Sequence, residues 1–305
     1  MTEFVPKVAA RLNSELPINP PVSLFGTTNA ILTGTSRTYF VPDFAGPSSL
    51  KATLRGTASW KVDERVRRVS ESTYLLVNAG QPYTISYDEP SDVTTFVLLF
   101  RDGFLEEIAA GMRLGLNSSL DDPFHTDSLE LPTALHAGPS AVLQKLRTFA
   151  EQLARRSLGT ELWDLHFHQL AVTLVREIRS NRPQSSDISA TKASTRQELL
   201  RRVSIGRDFL VSMSDQPVTV EDAARAACIS IFHFHRVFVE AFGISPHLFL
   251  RDFRLQRAAN MLRLADDPVT EIVAKVGFKS VSSFSSAFCK QFGLPPKLFR
   301  TRSRS

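Results

Sequence analysis

The C-terminal third of this 305-residue chain repeats itself at an offset of 50 residues. Glu221, Ala224, Ser230, Phe234, Phe238, Phe242, Gly243, Pro246, Leu248 and Phe249 recur as Glu271, Ala274, Ser280, Phe284, Phe288, Phe292, Gly293, Pro296, Leu298 and Phe299. Identities in that number at one offset mark a duplicated supersecondary unit rather than chance. Each copy reads as a short helix, a tight turn, a second helix and a glycine stop. In the first copy Thr219 can cap a helix over 220–227, and Asp222 three residues on completes a capping-box pair. Cys228 and Ile229 form the turn, and Ser230 caps the next helix. At about 100° per residue, Phe234, Phe238 and Phe242 fall on one side of it with Ile231, Val237 and Ala241 beside them. Phe232, His235, Arg236, Val239 and Glu240 point the other way. Gly243 tolerates the positive φ that ends a helix.

A short helix, a turn and a second helix exposing Arg and His form a helix-turn-helix unit. Its second helix fits the major groove, where an arginine can contact guanine through two hydrogen bonds. Helical hairpins that bind nothing are the alternative, and charge argues against them. Residues 191–305 hold 18 Lys+Arg against 10 Asp+Glu, a balance of +8, whereas residues 1–190 hold 18 against 21, a balance of −3. Basic charge gathered at one end suits a polyanion. Between the copies, residues 246–265 form one helical pattern behind Pro246. Such a helix is about 30 Å long, close to the roughly 34 Å between successive major grooves on one face of DNA. It can therefore set two recognition helices, 230–242 and 280–292, in adjacent grooves of double-stranded DNA.

The N-terminal half follows a different rule. Residues 1–40 are expected to be irregular, since Pro6, Pro17, Pro20 and Pro21 interrupt any helix. From about 48 to 101 the pattern is strand-like, with Leu50, Ala52 and Leu54 alternating with Lys51, Thr53 and Arg55. Tyr83, Ile85 and Tyr87 alternate likewise, and 73–77 and 95–100 are further runs. Gly56, Gly80 and Pro90 punctuate them, which suggests a sandwich or small barrel. Long helices follow at 140–158 and 161–180. The second carries apolar residues around most of its circumference, including Trp163, Leu165, Leu170 and Leu174. That coverage fits either a homodimer interface or burial within the monomer. Residues 182–195 have linker composition. The expected organisation is α+β in two domains: 1–181 regulatory and dimerising, 182–195 a linker, and 196–305 all-α and DNA-binding.

These residues resemble the AraC/XylS family of bacterial transcription regulators. The resemblance rests on 223–249, on 271–278 (Glu-Ile-Val-Ala-Lys-Val-Gly-Phe), on 283–288 (Ser-Phe-Ser-Ser-Ala-Phe) and on 292–296 (Phe-Gly-Leu-Pro-Pro). Residues 254–258, Arg-Leu-Gln-Arg-Ala, are similar to the family's linker-helix signature. Residues 77–85 carry a weaker likeness to its cupin-like regulatory barrel. The resemblance implies base contacts from Phe232, His235 and Arg236 in the first recognition helix, and from Val281, Ser282, Ser285 and Ser286 in the second. The family often has Arg where Ser286 stands, so the second helix, with its serines and Lys290, is expected to anchor the DNA backbone more than to read bases. The resemblance also implies contact with RNA polymerase and, more often than repression, activation. A small-molecule effector would enter the barrel, where Trp60, Tyr83, Tyr87 and Phe96 can line a site or simply pack a core.

Other classes find little support. A metal cupin needs clustered histidines and a carboxylate, yet none of His125, His136, His166, His168, His233, His235 and His247 lies in the strand-rich stretch. His166 and His168 diverge on a helix. A DNA alkylation-repair protein would need a methyl-accepting cysteine, and the first 227 residues contain none. No GxSxG and no phosphate-binding glycine loop occurs. No enzyme, metal or cofactor is therefore expected. A regulator that senses nothing and is set by its abundance stays open. Cys228 and Cys289, without a CxxC pair, fit a reducing compartment. With no signal peptide and no apolar run approaching 18 residues, the expectation is cytoplasmic, without a membrane.

Overall fold

Strand structure starts earlier than the N-terminal prolines suggest. The computed structural model describes residues 18–114, 131–137, 140–155, 160–180, 188–189 and 192–304. Pro6, Pro17, His125 and the linker positions 182–187, 190 and 191 lie outside the described residues. Strand β1 runs Ala30–Phe44, starting inside the stretch 1–40 expected to be irregular. Its Ile, Thr, Tyr and Val content is strand-forming. Pro42 is tolerated because β1 pairs only with β6 among the strands and shifts register between Val41 and Phe44. The others are β2 (Ser49–Arg55), β3 (Thr57–Val62), β4 (Arg65–Ser70), β5 (Thr73–Val77), β6 (Tyr83–Leu99) and β7 (Leu135–Ala137). The two runs expected on either side of Pro90 are one strand, β6. Pro90 falls between Asp88 and Val93, where the ladder to β1 slips, so its missing N–H breaks no bond of that ladder. One edge of β6 pairs with β1, and the other pairs with β3 in its first part and β2 in its second. The sheet, ordered β4-β3-β6-β2-β5-β7, curls into a nearly closed antiparallel barrel.

Both faces of this sheet are covered. Leu50, Ala52, Tyr74, Leu76, Phe96 and Leu98 pack with helices α1 (Phe104–Leu114), α2 (Ala141–Ala154) and α3 (Thr160–Ser180). Phe149 of α2 centres that core, its ring edge-on to Phe96, Trp163 and Phe167. Tyr74 donates to Glu177 Oε1 at 2.9 Å and Ser140 to Glu177 Oε2 at 3.0 Å, joining barrel and helices. The alternate residues of the same strands, Ser49, Lys51 and Thr53, turn to the barrel interior with Leu75, Val97 and Leu99. Of the effector-lining candidates, Trp60, Tyr83 and Tyr87 belong to that interior. Phe96 does not, because the alternation hands it to the helices.

The apolar coverage of α3 resolves into two parts. Trp163, Phe167, Leu170, Leu174 and Ile178 are buried within their own unit, and only Leu162 and Leu165 remain exposed, at 45% and 46%. Leu170 and Leu174 therefore cannot form an interface with a second subunit, because the core of their own unit already buries them.

The chain divides into two compact units, Met1–His136 with Ser140–Arg182, and Pro183–Ser305 with Ala137–Pro139. From residue 188 on, the elements described in the second unit are helices: α4 (Ala193–Ser212), α5 (Val220–Ala226), α6 (Ile231–Phe242), α7 (Pro246–Leu264), α8 (Val269–Lys275), α9 (Val281–Phe292) and α10 (Pro296–Arg304). It holds two small cores, one around Phe234 and Phe238 and one around Phe284 and Phe288. Helix α4 starts at Ala193, inside the expected linker, and Ile188 of that linker is buried in the first core. No helix among the described residues is long and apolar enough to cross a membrane.

Candidate nucleic-acid interface

The duplication holds in space with one correction. Helices α6 and α9 are 50 residues apart, and so are the starts of α7 and α10. The preceding helices α5 and α8 are 49 apart, with Ala223, Ala224 and Ala227 buried where Ile272, Val273 and Val276 are. The Glu221/Glu271 and Ala224/Ala274 identities thus pair residues at different helix positions. The extra residue lies in the second turn, as Phe278-Lys279 against Ile229 alone. The two copies also differ in how the first helix starts and how the turn is made. The first copy starts on the expected capping box, with Thr219 and Asp222 bonded reciprocally. The second has Pro268 at that place and no side-chain cap. Gly277 adopts φ +78° and lies so close to Ser214 that a Cβ would sit 2.6 Å from its carbonyl oxygen. Cys228 takes the equivalent left-handed conformation in the first copy, at φ +53°.

Serine hydroxyls start both second helices. Ser230 accepts from the His233 N–H and Ser280 from the Ser283 N–H. Gly243 and Gly293 end them at φ +70° and +72°. The phenylalanine stripes are fully inside: Phe234, Phe238, Phe284 and Phe288 are each 0% exposed. What remains outside is the set the sequence singled out. Phe232 is 86% exposed, and His235, Arg236, Val281, Ser282, Ser286 and Lys290 are exposed as well. Ser285 is only half-exposed.

Arg236 forms no ion pair or hydrogen bond with a described side chain. Its i+4 neighbour Glu240, the obvious partner, instead accepts from the Ser189 N–H at 3.1 Å. Much of the remaining basic charge is spent inside the fold. Arg225 pairs with Asp222, and Lys275 with Asp267 and Glu271, which raises the lysine above its ordinary value. Arg254 donates to the Ser214 and Gln216 carbonyls at 2.8 and 2.7 Å, and its burial lowers its pKa. It thus ties α7 to the end of α4. Lys279, Lys290, Lys297 and Arg302 are exposed and carry no such bond. Lys279 and Lys297 were missed in the sequence; aligning the copies by helix rather than by identity is the signal that exposes Lys279.

This arrangement defines the C-terminal unit as a paired helix-turn-helix domain. Residues 223–302 match the family model of a helix-turn-helix domain, and residues 39–162 match that of an AraC-like ligand-binding domain. The chain belongs to the AraC/XylS family, a family of transcription regulators and not of enzymes. It is 34% identical over 100 residues to the transcriptional regulator Rob of Salmonella typhimurium, a match covering 32% of this chain and 35% of that protein. It therefore spans about a third of that relative's length. It is 26% identical over 253 residues to the transcriptional activator RhaS of Citrobacter koseri, covering 76% and 83%. Among solved structures, the C-terminal domain of the response regulator AraT from Geobacillus stearothermophilus is 28% identical, covering 34% of this chain and 84% of that one at a TM-score of 0.32.

Proposed function

We propose that this protein is a sequence-specific transcription activator that places α6 and α9 in adjacent major grooves of its operator. The observation that carries this reading is the pair of glycine-stopped helices presenting unpaired polar faces, joined by the 19-residue helix α7. At 1.5 Å per residue α7 is about 28 Å long, of the order of one helical turn of B-DNA. Phe232, His235 and Arg236 read bases from the first helix. Val281, Ser282, Ser285 and Ser286 lie against the second groove, and Lys290 holds a phosphate. Residues 196–305 form this DNA-binding domain, 182–195 the linker, and 1–181 the regulatory domain that takes a small-molecule effector in its barrel and carries homodimerisation. It acts through RNA polymerase, in the cytoplasm; the activator role is supported by the likeness to RhaS, whose name describes an activator.

Selection from a library of operator variants tests the unequal reading. Arg236→Ala should cost about 1–3 kcal/mol and relax base preference within one half-site. Ser286→Ala should leave preference nearly unchanged. Lys290→Ala should weaken all sequences alike and reduce the salt slope by about one phosphate's worth, near 0.9. Equal relaxation by Arg236→Ala and Ser286→Ala would remove the asymmetry and with it the assignment of roles.

A further inference from the structure

Lys51 sits where a lysine is hardest to keep. It lies in the middle of β2, on the face turned to the barrel interior, and is 1% exposed. Among the described residues no carboxylate forms an ion pair with it, and no hydrogen bond from its ammonium is formed. Among the described residues its partner is an aromatic face: Nζ lies 3.8 Å from the centroid of the Tyr83 ring. Burial without a counter-charge disfavours the ammonium and brings its pKa down to about 7. Two residues along the same face, Ser49 is 0% exposed and its Oγ has no hydrogen-bond partner among the described residues. Two polar groups without a hydrogen bond, two residues apart on one buried face, are unusual, since buried polar groups are normally paired, as Thr53 and Arg67 are here. Val97 is the ladder partner of Lys51 and Tyr83 lies under its ammonium; both are buried, as are Trp60 and Tyr87 of the same barrel. Arg67, also buried, is turned to backbone, donating to the Val62 and Thr133 carbonyls at 3.1 and 3.0 Å.

We propose that Lys51 and Ser49 are the anchor for an anionic effector, a monocarboxylate with a compact apolar body, whose carboxylate takes the ammonium and the hydroxyl while its body packs on Trp60 and Tyr87. This rests on the reading of the barrel as an effector site and names the chemical class that site accepts. A carboxylate supplies the missing counter-charge, and a charge-assisted bond in a dry interior is strong. A neutral isostere supplies no charge and leaves the lysine as it was.

The test uses the full chain, with benzoate as the probe and benzamide as its neutral match. Thermal unfolding and quenching of tryptophan fluorescence are followed for the wild type, Lys51→Met and Ser49→Ala. Benzoate should stabilise the wild type and benzamide should not. Lys51→Met should weaken benzoate about tenfold to a hundredfold, and Ser49→Ala about tenfold. Without ligand, Lys51→Met should melt higher than the wild type, because it removes an unpaired buried amine; a lower melting point would show the lysine to be structural and overturn the proposal. Equal response to benzoate and benzamide would overturn the anionic class while leaving the effector site standing. No response to either, at any soluble concentration, would overturn both. Borohydride trapping of an aldehyde on Lys51, with no benzoate effect, would make the amine a nucleophile and refute its role as an anion anchor.

Discussion

Replacing Gly206 by alanine probes how closely α4 seats the first recognition helix. A Cβ at Gly206 would lie 2.3 Å from Phe234 Cε2, 2.7 Å from its Cζ and 3.0 Å from the Ala223 carbonyl oxygen. Carbon atoms in contact prefer about 3.5–4.0 Å, so the methyl needs more than an ångström that the packing does not provide. The ring cannot step aside, because Phe234 is 0% exposed and packs on Phe238 at 5.4 Å. The helix must shift or the ring must leave its rotamer, at about 1–3 kcal/mol. Alanine's better helix propensity returns up to about 1 kcal/mol. The net expectation is a loss of about 1–2 kcal/mol and weaker operator binding, since α6 moves with Phe234. Both tryptophans, Trp60 and Trp163, lie in the first unit, so their fluorescence is blind to this change. Urea unfolding followed by far-ultraviolet circular dichroism reads it. Gly111→Ala is the control: no atom lies within 4 Å of its Cβ position in α1, so that variant should gain about 0.5–1 kcal/mol. A Gly206→Ala protein as stable as the wild type would refute the close-seating argument.

Two further outcomes are expected. Leu165→Glu, on the exposed face of α3, should leave the unfolding transition nearly unmoved while shifting sedimentation from dimer to monomer, whereas Leu174→Glu should unfold the first unit by burying a charge; a Leu165→Glu protein that still sediments as a dimer removes α3 from the interface. Stability without ligand should rise as the pH increases from about 7 towards 10.5, because across that window the unfolded lysine at position 51 binds a proton that the native one, held down by burial, does not. Tyr83, raised by burial, and Tyr87, pushed up to about 12, stay neutral over most of that window, so Lys51→Met should flatten the rise, and an unchanged slope in calorimetry would count against it.

The C-terminal unit was far more legible than the N-terminal one, for a physical reason. Its contacts are local: caps, phenylalanine stripes and glycine stops declare themselves within a few residues. Ser230, Phe234, Phe238 and Gly243 stand where the helical period puts them. The one-residue slip in the second turn was hidden, because Gly277 is set by its approach to Ser214, far away in the chain. In the barrel the alternation of β2 was visible, but its meaning was not. A half-buried sheet would turn Lys51 to water. Here α1, α2 and α3 cover the outer face, and the lysine side is the enclosed one. Sequence alternation separates the two faces of a strand without saying which face is dry. Pro90 misled for a related reason: like Pro42, it falls at a slip in the β1–β6 ladder, where no bond of that ladder is lost.

The unequal chemistry of the two copies has a counterpart in how each is held. Helix α6 is fixed from several sides: Gly206 of α4 approaches its Phe234, and Glu240 at its far end takes the Ser189 N–H. A helix positioned this firmly can hold Arg236 in one orientation, which a two-bond contact to guanine requires and a phosphate contact does not. Helix α9 follows a turn one residue longer and an uncapped α8, and it offers Ser282, Ser286 and the flexible Lys290. Small hydroxyls and an ammonium on a long stem tolerate misplacement, because a phosphate oxygen can be met from many directions. Base reading at the first head and backbone anchoring at the second are therefore what the packing of each helix suits. Moving an arginine to position 286 alone should add affinity before it adds selectivity, since among the described residues α9 has no counterpart of the Gly206 and Ser189 contacts to α6.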